Sequence, residues 1–348
     1  MKIYKKILIG LIYLPISTIL SASYISAGEL NSEELVKLKA LYERPKYIPF
    51  PKENPFSLEK VELGKTLFFD PRMSDSGTQS CATCHNPSFS WGDGMGLGTG
   101  NGHNKLGRKS PSILNLAWDH DSEAYMWDGR KESLEDQALG PIQADVEMNM
   151  NIDRLVAFLK TTKDYKPLFE DAFPDDANPI KASSIAKSIA TYERTIVSNI
   201  APFDKWIMGD ELAISSSAKK GFELYNGKAN CAACHSGWRF SDASFHDIGL
   251  KSEDIGRGAF VPVASMKFAF KTVGLRNIDL RAPYMHDGSI ETLAEVIDHY
   301  DSGFIQRESL SSEIKKLNLT QNEKRDLLSF LKTITSKDTP VRLPVLPK

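Results

Sequence analysis

The sequence of 348 residues lacks a strong charge of either sign, spare cysteines and long strand-like alternation. Its formal net charge is only −2, so no strong electrostatic attraction to nucleic acid is expected. Beyond the first 27 residues, no apolar run is long enough to cross a membrane. The four cysteines all fall in two Cys-x-x-Cys pairs, so none is left over. What remains is the composition of an ordinary globular protein, long enough for two domains.

The first 27 residues differ from the rest of the chain. Three lysines precede the apolar run ILIGLIYLPISTIL, and small residues follow up to Ala27. This order of charged, apolar and small residues is typical of a secretory signal peptide. An uncleaved membrane anchor is the alternative, but Pro15 interrupts the run, which is shorter than the roughly 20 residues needed to span a bilayer. We therefore expect a signal peptide over residues 1–27, an exported protein and no membrane span after its removal.

Each cysteine pair is followed directly by a histidine. The two motifs are Cys81-Ala-Thr-Cys84-His85 and Cys231-Ala-Ala-Cys234-His235. A redox pair, a zinc site or two small disulfide loops are alternatives, but none of them accounts for both histidines. C-x-x-C-H is the attachment signature of c-type haem, in which two thioethers hold the porphyrin and the histidine binds the iron. Two copies predict two covalently bound haems c.

The sequence after each haem motif contains one pattern twice. The stretches AYMWDGRKESLEDQALGP (124–141) and PYMHDGSIETLAEVIDHY (283–300) align at a constant offset of 159 residues. This predicts a duplicated haem domain, with an N-terminal unit over 28–205 and a C-terminal unit over 206–348. Apolar stripes and a capping box at Thr320 and Glu323 predict helices. We expect a mostly α fold of two cytochrome c-like haem domains, related by internal duplication, with few or no strands.

Two adjacent candidate ligands lie at the end of SIETLAEVIDHY. The apolar stripe places Tyr300 on the buried face, while His299 lies about 100° away toward the polar side. Tyrosinate is a haem axial ligand and favours ferric iron, whereas the alternative is a packed aromatic with its hydroxyl on a backbone carbonyl. The offset aligns Tyr300 with Pro141, which has no side-chain donor to iron. We therefore expect a closed second haem and a first haem open to a small molecule such as hydrogen peroxide.

Further candidates lie around Pro141. Cleavage of a peroxide moves a proton between its oxygens, and a positioned carboxylate does this well. Gln137 and Glu147 flank Pro141 and are candidates for the distal pocket, with a solvated acid as the alternative for Glu147. Trp127 aligns with His286 of the second repeat. It is a candidate relay for electrons between the haems, and a packing tryptophan in a cleft is the alternative.

Over about residues 50–335 the sequence resembles the bacterial dihaem cytochrome c peroxidase and MauG superfamily. The motifs that carry the resemblance are QSCATCH, RKSPSILN, YMWDGR, LEDQALGPIQADVEM, CAACH and LRNIDLRAPYMHDGS. The resemblance implies a peroxide-reactive N-terminal haem, an electron-transfer C-terminal haem and a periplasmic location. It also implies Trp127 as the inter-haem residue, and Gln137 and Glu147 as distal residues. Ordinary members carry methionine at the position of Tyr300, whereas MauG-type enzymes, which oxidise tryptophans of a partner protein, carry tyrosine.

Two positions depart from the pattern of that superfamily. Ordinary peroxidases supply a removable distal histidine from a loop, and His103 lies in that loop at a shorter spacing, as a resting-state ligand or a surface histidine. The family also binds calcium through an asparagine before Ser-Pro, where this chain has Lys109. Carbonyls of Arg281 and Pro283 remain, but an ammonium group repels calcium. We expect Lys109 to replace the ion, and calcium is doubtful.

These observations predict a peroxidase with two haems c. It would reduce hydrogen peroxide and oxidise a protein electron donor, or tryptophan or tyrosine residues of a partner protein. One alternative is a conventional cytochrome c peroxidase that detoxifies peroxide with a small cytochrome or cupredoxin as donor. The other is a non-enzymatic dihaem electron carrier, against which the missing ligand at Pro141 argues.

Overall fold

The computed structural model of the chain describes residues 31–122, 124–337 and 339–348, with the backbone alone for 120–122. The expected signal peptide lies outside these residues. None of the described helices is long and apolar enough to cross a membrane.

The described residues are mostly helical, as expected, with only two strands of two residues each. The helices are α1 (Ser32–Ala40), α2 (Leu58–Phe69), α3 (Cys81–Cys84), α4 (Leu134–Gln143), α5 (Ile152–Thr161), α6 (Tyr165–Ala172), α7 (Ala182–Arg194), α8 (Pro202–Ile207), α9 (Ser216–Asn226), α10 (Leu293–Asp298) and α11 (Gln321–Thr333). Strands β1 (Phe245–His246) and β2 (Phe270–Lys271) pair antiparallel. Helix α11 begins after Thr320 with the capping box that the sequence predicts, because the Thr320 hydroxyl accepts from the Glu323 amide and the Glu323 carboxylate accepts from the Thr320 amide.

Two hydrophobic cores are built on the same kind of helix crossing. In the first core α2 crosses α7, and in the second α9 crosses α11. A glycine at each crossing lets the two backbones approach closely. A Cβ atom on Gly64 would overlap the carbonyl of Ser188, and one on Gly221 would overlap the carbonyl of Asp326. The two halves therefore share a packing device as well as a sequence pattern.

A turn that follows each haem motif is repeated in detail. Tyr125 pairs with Lys131, and Tyr284 pairs with Ile290, in antiparallel bridges that keep the sequence offset. The methionine after each tyrosine has a positive φ, 72° in the first half and 73° in the second. The duplication thus preserves an unusual backbone conformation at equivalent positions.

The two ends of the chain pack on the opposite halves. Tyr42, just after α1, is buried in the second core, and its hydroxyl donates to the Asn226 side chain at 2.6 Å. At the other end, Val341 packs against the first core, and the Arg72 guanidinium donates to the Pro347 carbonyl at 2.9 Å. The expected boundary between residues 205 and 206 assigns each terminal segment to the half in which its sequence lies, so it does not include this exchange.

Candidate functional site

Each Cys-x-x-Cys-His motif lines a cavity in its own half. The first cavity, of about 380 Å³, is lined by Cys81, Cys84 and His85. The second, of about 210 Å³, is lined by Cys231, Cys234 and His235. Because the two cysteine pairs line separate cavities, they do not converge on one zinc site. The four cysteines also form no disulfide.

The two motif histidines are held in the same way. Nδ1–H of His85 donates to the Trp91 carbonyl at 3.3 Å, and Nδ1–H of His235 donates to the Phe240 carbonyl at 2.9 Å. A backbone acceptor on one ring nitrogen selects the tautomer in which the other nitrogen is the ligand. Both histidines therefore present Nε2 for binding to iron.

Burial disfavours the thiolate form at three cysteines, Cys81, Cys84 and Cys231. Burial raises the pKa of the Cys231 thiol to about 12 and that of the Cys84 thiol to about 11. Redox and zinc cysteines need the opposite shift, because the thiolate is the reactive and ligating form. Neutral thiols beside an apolar cavity fit a haem held by thioethers, and the residues present therefore fit two haems c.

The structure brings three of the distal candidates into the first cavity. Gln137 and Pro141 reach it from α4, and Glu147 reaches it from the segment that follows this helix. Glu147 is half-buried, and burial raises the pKa of its carboxyl while the charge of Arg130 lowers it. The alternative of a solvated acid does not describe this position. Partial desolvation thus makes Glu147 a stronger base than a solvated glutamate.

Tyr300 lines the second cavity, but the helix that carries it is not a regular α-helix. After α10 the chain forms one turn of π-helix over His299–Gly303. Such turns accommodate an extra residue and occur often at functional sites. No described residue hydrogen-bonds to the Tyr300 hydroxyl, and burial raises its pKa. A buried phenol ionises only beside a positive charge, which a ferric iron supplies.

The neighbours of Tyr300 hold this turn from two sides. The expectation that His299 lies toward the polar side is wrong, because His299 is buried and its Nε2–H donates to the Ile248 carbonyl at 3.0 Å. On the other side the Asp301 carboxylate lies 2.7 Å from the Lys324 ammonium and accepts from the Leu319 amide at 3.0 Å. His299 does not line the cavity, so only Tyr300 of the adjacent pair reaches it.

Trp127 lies between the two cavities and lines both. Its indole Nε1–H donates to the Lys109 carbonyl at 2.8 Å, and its backbone carbonyl accepts from the Lys271 amide at 2.8 Å. Its ring meets the His286 imidazole edge to face at 6.4 Å. The pseudo-symmetric pair that the repeat predicts is therefore in contact at the junction of the halves.

Lys109 is buried beside Trp127. Its ammonium donates to the Met95 carbonyl at 2.6 Å and lies 3.6 Å from the Asp93 carboxylate. Its backbone amide donates to the His286 carbonyl at 2.7 Å. Lys109 thus binds three segments, around Asp93, Trp127 and His286, which surround the contact between Trp127 and His286.

His103 does not reach the first cavity. Its side chain is exposed, and the cavity is lined without it. The short turn around it is fixed by a bond from the Gly100 amide to the Asn104 carbonyl at 2.8 Å and by one from the Asn101 amide to the Val146 carbonyl at 3.1 Å. Of the two readings of His103, the structure places it as a surface histidine.

One cavity residue, Glu193, is missed by the sequence reasoning. It lies in α7 and lines the first cavity with Ile189, one turn earlier. The signal was a glutamate within the apolar face of SSIAKSIATYER, where acids are rarely buried without a partner.

Comparison with known proteins agrees with this geometry. Residues 58–212 match the family model described as di-haem cytochrome c peroxidase. Over 333 residues the chain is 50% identical to a methylamine utilization protein MauG of Methylorubrum extorquens, which covers 95% of this chain and 93% of the relative. It is 48% identical over 337 residues to a protein of the same name from Methylophilus methylotrophus, covering 96% and 97%.

A solved structure extends the likeness to three dimensions. The crystal structure of a MauG-like protein associated with microbial copper homeostasis matches at a TM-score of 0.77 and 32% identity, over 85% of this chain and 95% of that one. With two haem motifs on two cavities and full-length relatives at this identity, the chain belongs to the di-haem cytochrome c peroxidase family and is a peroxide-using oxidoreductase with two c-type haems.

Proposed function

We propose that the chain is an exported, periplasmic enzyme of the MauG-like kind. It reduces hydrogen peroxide in the first cavity and draws the electrons from a protein. The observation that carries the proposal is the difference between the cavities at aligned positions. Tyr300 lines the second, and Pro141, which cannot bind iron, lines the first. An electron carrier without enzymatic activity has no need of this asymmetry.

The chain would hold its haems with a specific set of residues. The four cysteines would form the thioethers, His85 and His235 would bind the irons, and Tyr300 would be a further ligand to the iron in the second cavity. When bound, the haems supply iron that exchanges electrons with peroxide and with the donor. Tyrosine ligation favours the ferric state, so the second haem is suited to hold oxidising equivalents.

The side chains of the first cavity handle the proton and orient peroxide. Glu147 takes a proton from the near oxygen of peroxide and returns it to the far oxygen, for which its raised pKa suits it. Gln137 donates a hydrogen bond from its amide to a bound oxygen. Its amide lies 3.7 Å from the Met126 sulfur, a weak acceptor that leaves it available.

Electrons would pass between the haems by way of Trp127, the aromatic residue among the three that line both cavities, the others being Lys271 and Val273. Because Tyr300 closes the second cavity in the proposed ligation, the second haem exchanges electrons only over a distance. The donor is then a protein, through tryptophan or tyrosine residues of a partner or through a small cytochrome or cupredoxin. The resemblance to MauG-type enzymes favours the first kind of partner, and two relatives of this chain carry that name.

Lys109 takes the place of a calcium ion at the junction. Its ammonium already has a carbonyl and a carboxylate as partners, which are the ligand types that calcium would use. Treatment with a chelator should leave the spectra and activity of the holoprotein unchanged. Recovery of a lost activity by added calcium would contradict this assignment.

One equivalent of hydrogen peroxide added to the fully ferric holoprotein tests the proposal. Rapid change of the visible and electron paramagnetic resonance spectra of both haems, without any reductant, is the expected result. A requirement for prior reduction of one haem would instead identify a conventional cytochrome c peroxidase, served by a small donor protein. Two six-coordinate haems that do not react would leave only electron transfer.

A further inference from the structure

Glu193 is a buried acid whose side chain faces the first cavity. Only 4% of its surface is exposed, and its Oε2 has no hydrogen-bond partner among the described residues. An unpartnered polar group in a protein interior is costly, so its retention calls for an explanation. The cavity that Glu193 lines is the one that would contain the first haem and the peroxide.

Three features of the surroundings favour the protonated form of this carboxyl. Burial is the largest, and it raises the pKa of Glu193 to about 8, although the charge of Arg194 lowers it. The guanidinium of Arg194 is itself engaged, because it binds both oxygens of Glu135 at 2.6 and 2.9 Å. Glu193 also lies in the last turn of α7, where the helix dipole disfavours a negative charge.

The other ionisable groups around Glu193 come from several elements. Tyr192 is its neighbour on α7, and the charge of Glu193 contributes to the raised pKa of that hydroxyl. Cys81, on α3, feels the charges of both Glu193 and Glu147, each of which raises the pKa of its thiol. The two glutamates therefore approach one cavity from different elements, and both are near the attachment point of the first haem.

We propose that Glu193 is the second proton donor of the first cavity, alongside Glu147. This inference rests on the proposed function. Reduction of one hydrogen peroxide breaks the O–O bond and forms two new O–H bonds, so it takes two electrons and two protons and gives two waters. The protein partner supplies the electrons. Glu147 only moves a proton from one peroxide oxygen to the other, so the two protons come from solvent. Glu193 passes one of them to the near oxygen as the electrons arrive and is then reprotonated from solvent.

Infrared spectroscopy of the ferric holoprotein tests the protonation without any peroxide. A carbonyl band of a protonated carboxylic acid is expected at pH 7, and it should disappear as the pH rises through about 8. Glu193→Gln should remove the component of this band that titrates near pH 8, and Glu147→Gln, measured in parallel, identifies any component from the other acid with a raised pKa. The matched control is Glu62→Gln, an exposed glutamate on α2, and it should leave the band in place.

The rate of the peroxide reaction tests the role. With hydrogen peroxide and an excess of reductant, Glu193→Gln should slow turnover of the holoprotein by at least about tenfold at pH 7, since it removes the donor of a proton that the reduction consumes. Glu193→Asp should recover part of the rate. The wild-type rate should fall above about pH 8, and Glu193→Gln should lack that step.

The outcomes separate this inference from the proposed function. Absence in the wild type of a carboxylic acid band that titrates near pH 8, or survival of that component in Glu193→Gln, overturns the inference even if peroxide is reduced. An unchanged rate and pH profile in Glu193→Gln also overturns it. If the wild-type holoprotein does not react with peroxide, the proposed function fails and the proton-donor role fails with it, while the infrared result still reports whether the acid is protonated.

Discussion

The two haem cavities are alike where they would hold the cofactor and different where they would meet a ligand. In both, the motif histidine donates to a backbone carbonyl, and a glycine-mediated helix crossing forms the core behind it. On the distal side they diverge, because the first cavity has Pro141 and two acids whose pKa is raised, whereas the second has Tyr300. The two halves thus share the bonds of the motif histidines and the helix crossings, and they differ in the few residues that would face a ligand.

The divergence also has a structural cause in the backbone. Pro141 lies inside α4, an α-helix that continues to Gln143, whereas Tyr300 lies in a π-helical turn. An equivalent sequence position is therefore presented by two different local geometries. A comparison of the two halves by sequence alone identifies the changed residue but not the changed turn.

The largest effect on the rate of the peroxide reaction should come from replacing Glu147, the acid proposed to move the proton between the peroxide oxygens. Glu147→Gln keeps the shape and hydrogen-bonding capacity but cannot accept the proton, so the peroxide reaction should slow by about 100- to 10,000-fold. Stopped-flow spectroscopy of the holoprotein measures this rate. Glu132→Gln, at an exposed position, is the control, and equal rates in the two variants would remove Glu147 from the mechanism.

Replacement of the second-cavity tyrosine should make the second haem easier to reduce. Tyr300→Met substitutes a ligand that favours ferrous iron, and the potential of the second haem should rise by more than about 59 mV, a tenfold change for one electron. A redox titration followed in the visible spectrum measures it. Tyr284→Phe is the control, because Tyr284 lines the same cavity with its hydroxyl bonded to the Ile278 carbonyl. An unchanged potential in Tyr300→Met would contradict iron ligation by Tyr300.

The close helix crossings that the two halves share can be tested by substituting their glycines. Gly64→Ala and Gly221→Ala each place a methyl group against a carbonyl of the facing helix, and each should lower the free energy of unfolding by about 1–3 kcal/mol. Urea unfolding of the holoprotein measures both. Gly107→Ala has open space around its new methyl group and should be close to neutral. A large difference between the two crossings would show that the halves are not equivalent supports.

The last prediction concerns the change in the free energy of unfolding with pH, measured per pH unit. The pKa of Glu193 is raised in the folded protein, so the native state holds a proton that the unfolded state has lost. Its contribution to stability is complete below the ordinary pKa of a glutamate and disappears as the pH rises through about 8. In that window the wild type should lose about 1.4 kcal/mol per pH unit relative to Glu193→Gln. Urea unfolding at several pH values measures the difference, and parallel curves would contradict it.

The parts predictable from the sequence are those that depend on a short local pattern. Haem attachment needs cysteines and a histidine at fixed spacing, and a capping box needs Thr320 and Glu323 three residues apart. The π-helical turn at Tyr300 depends instead on distant partners, Ile248 and Lys324, which no local pattern reveals. Glu193 was missed for a related reason, since its burial depends on how α7 packs over the first cavity.

The exchanged chain ends have a consequence for how the molecule can be divided. Tyr42 completes the core of the second half, and the segment that ends at Lys348 is fastened to the first half through Arg72 and Asp164. Cutting the chain at the boundary between the repeats would therefore separate each half from a segment that packs on it. Each half would also keep a segment that packs on the other half. Although each half repeats the other, each also includes a segment from the other half of the sequence, with Val341 packed on the first core and Tyr42 buried in the second.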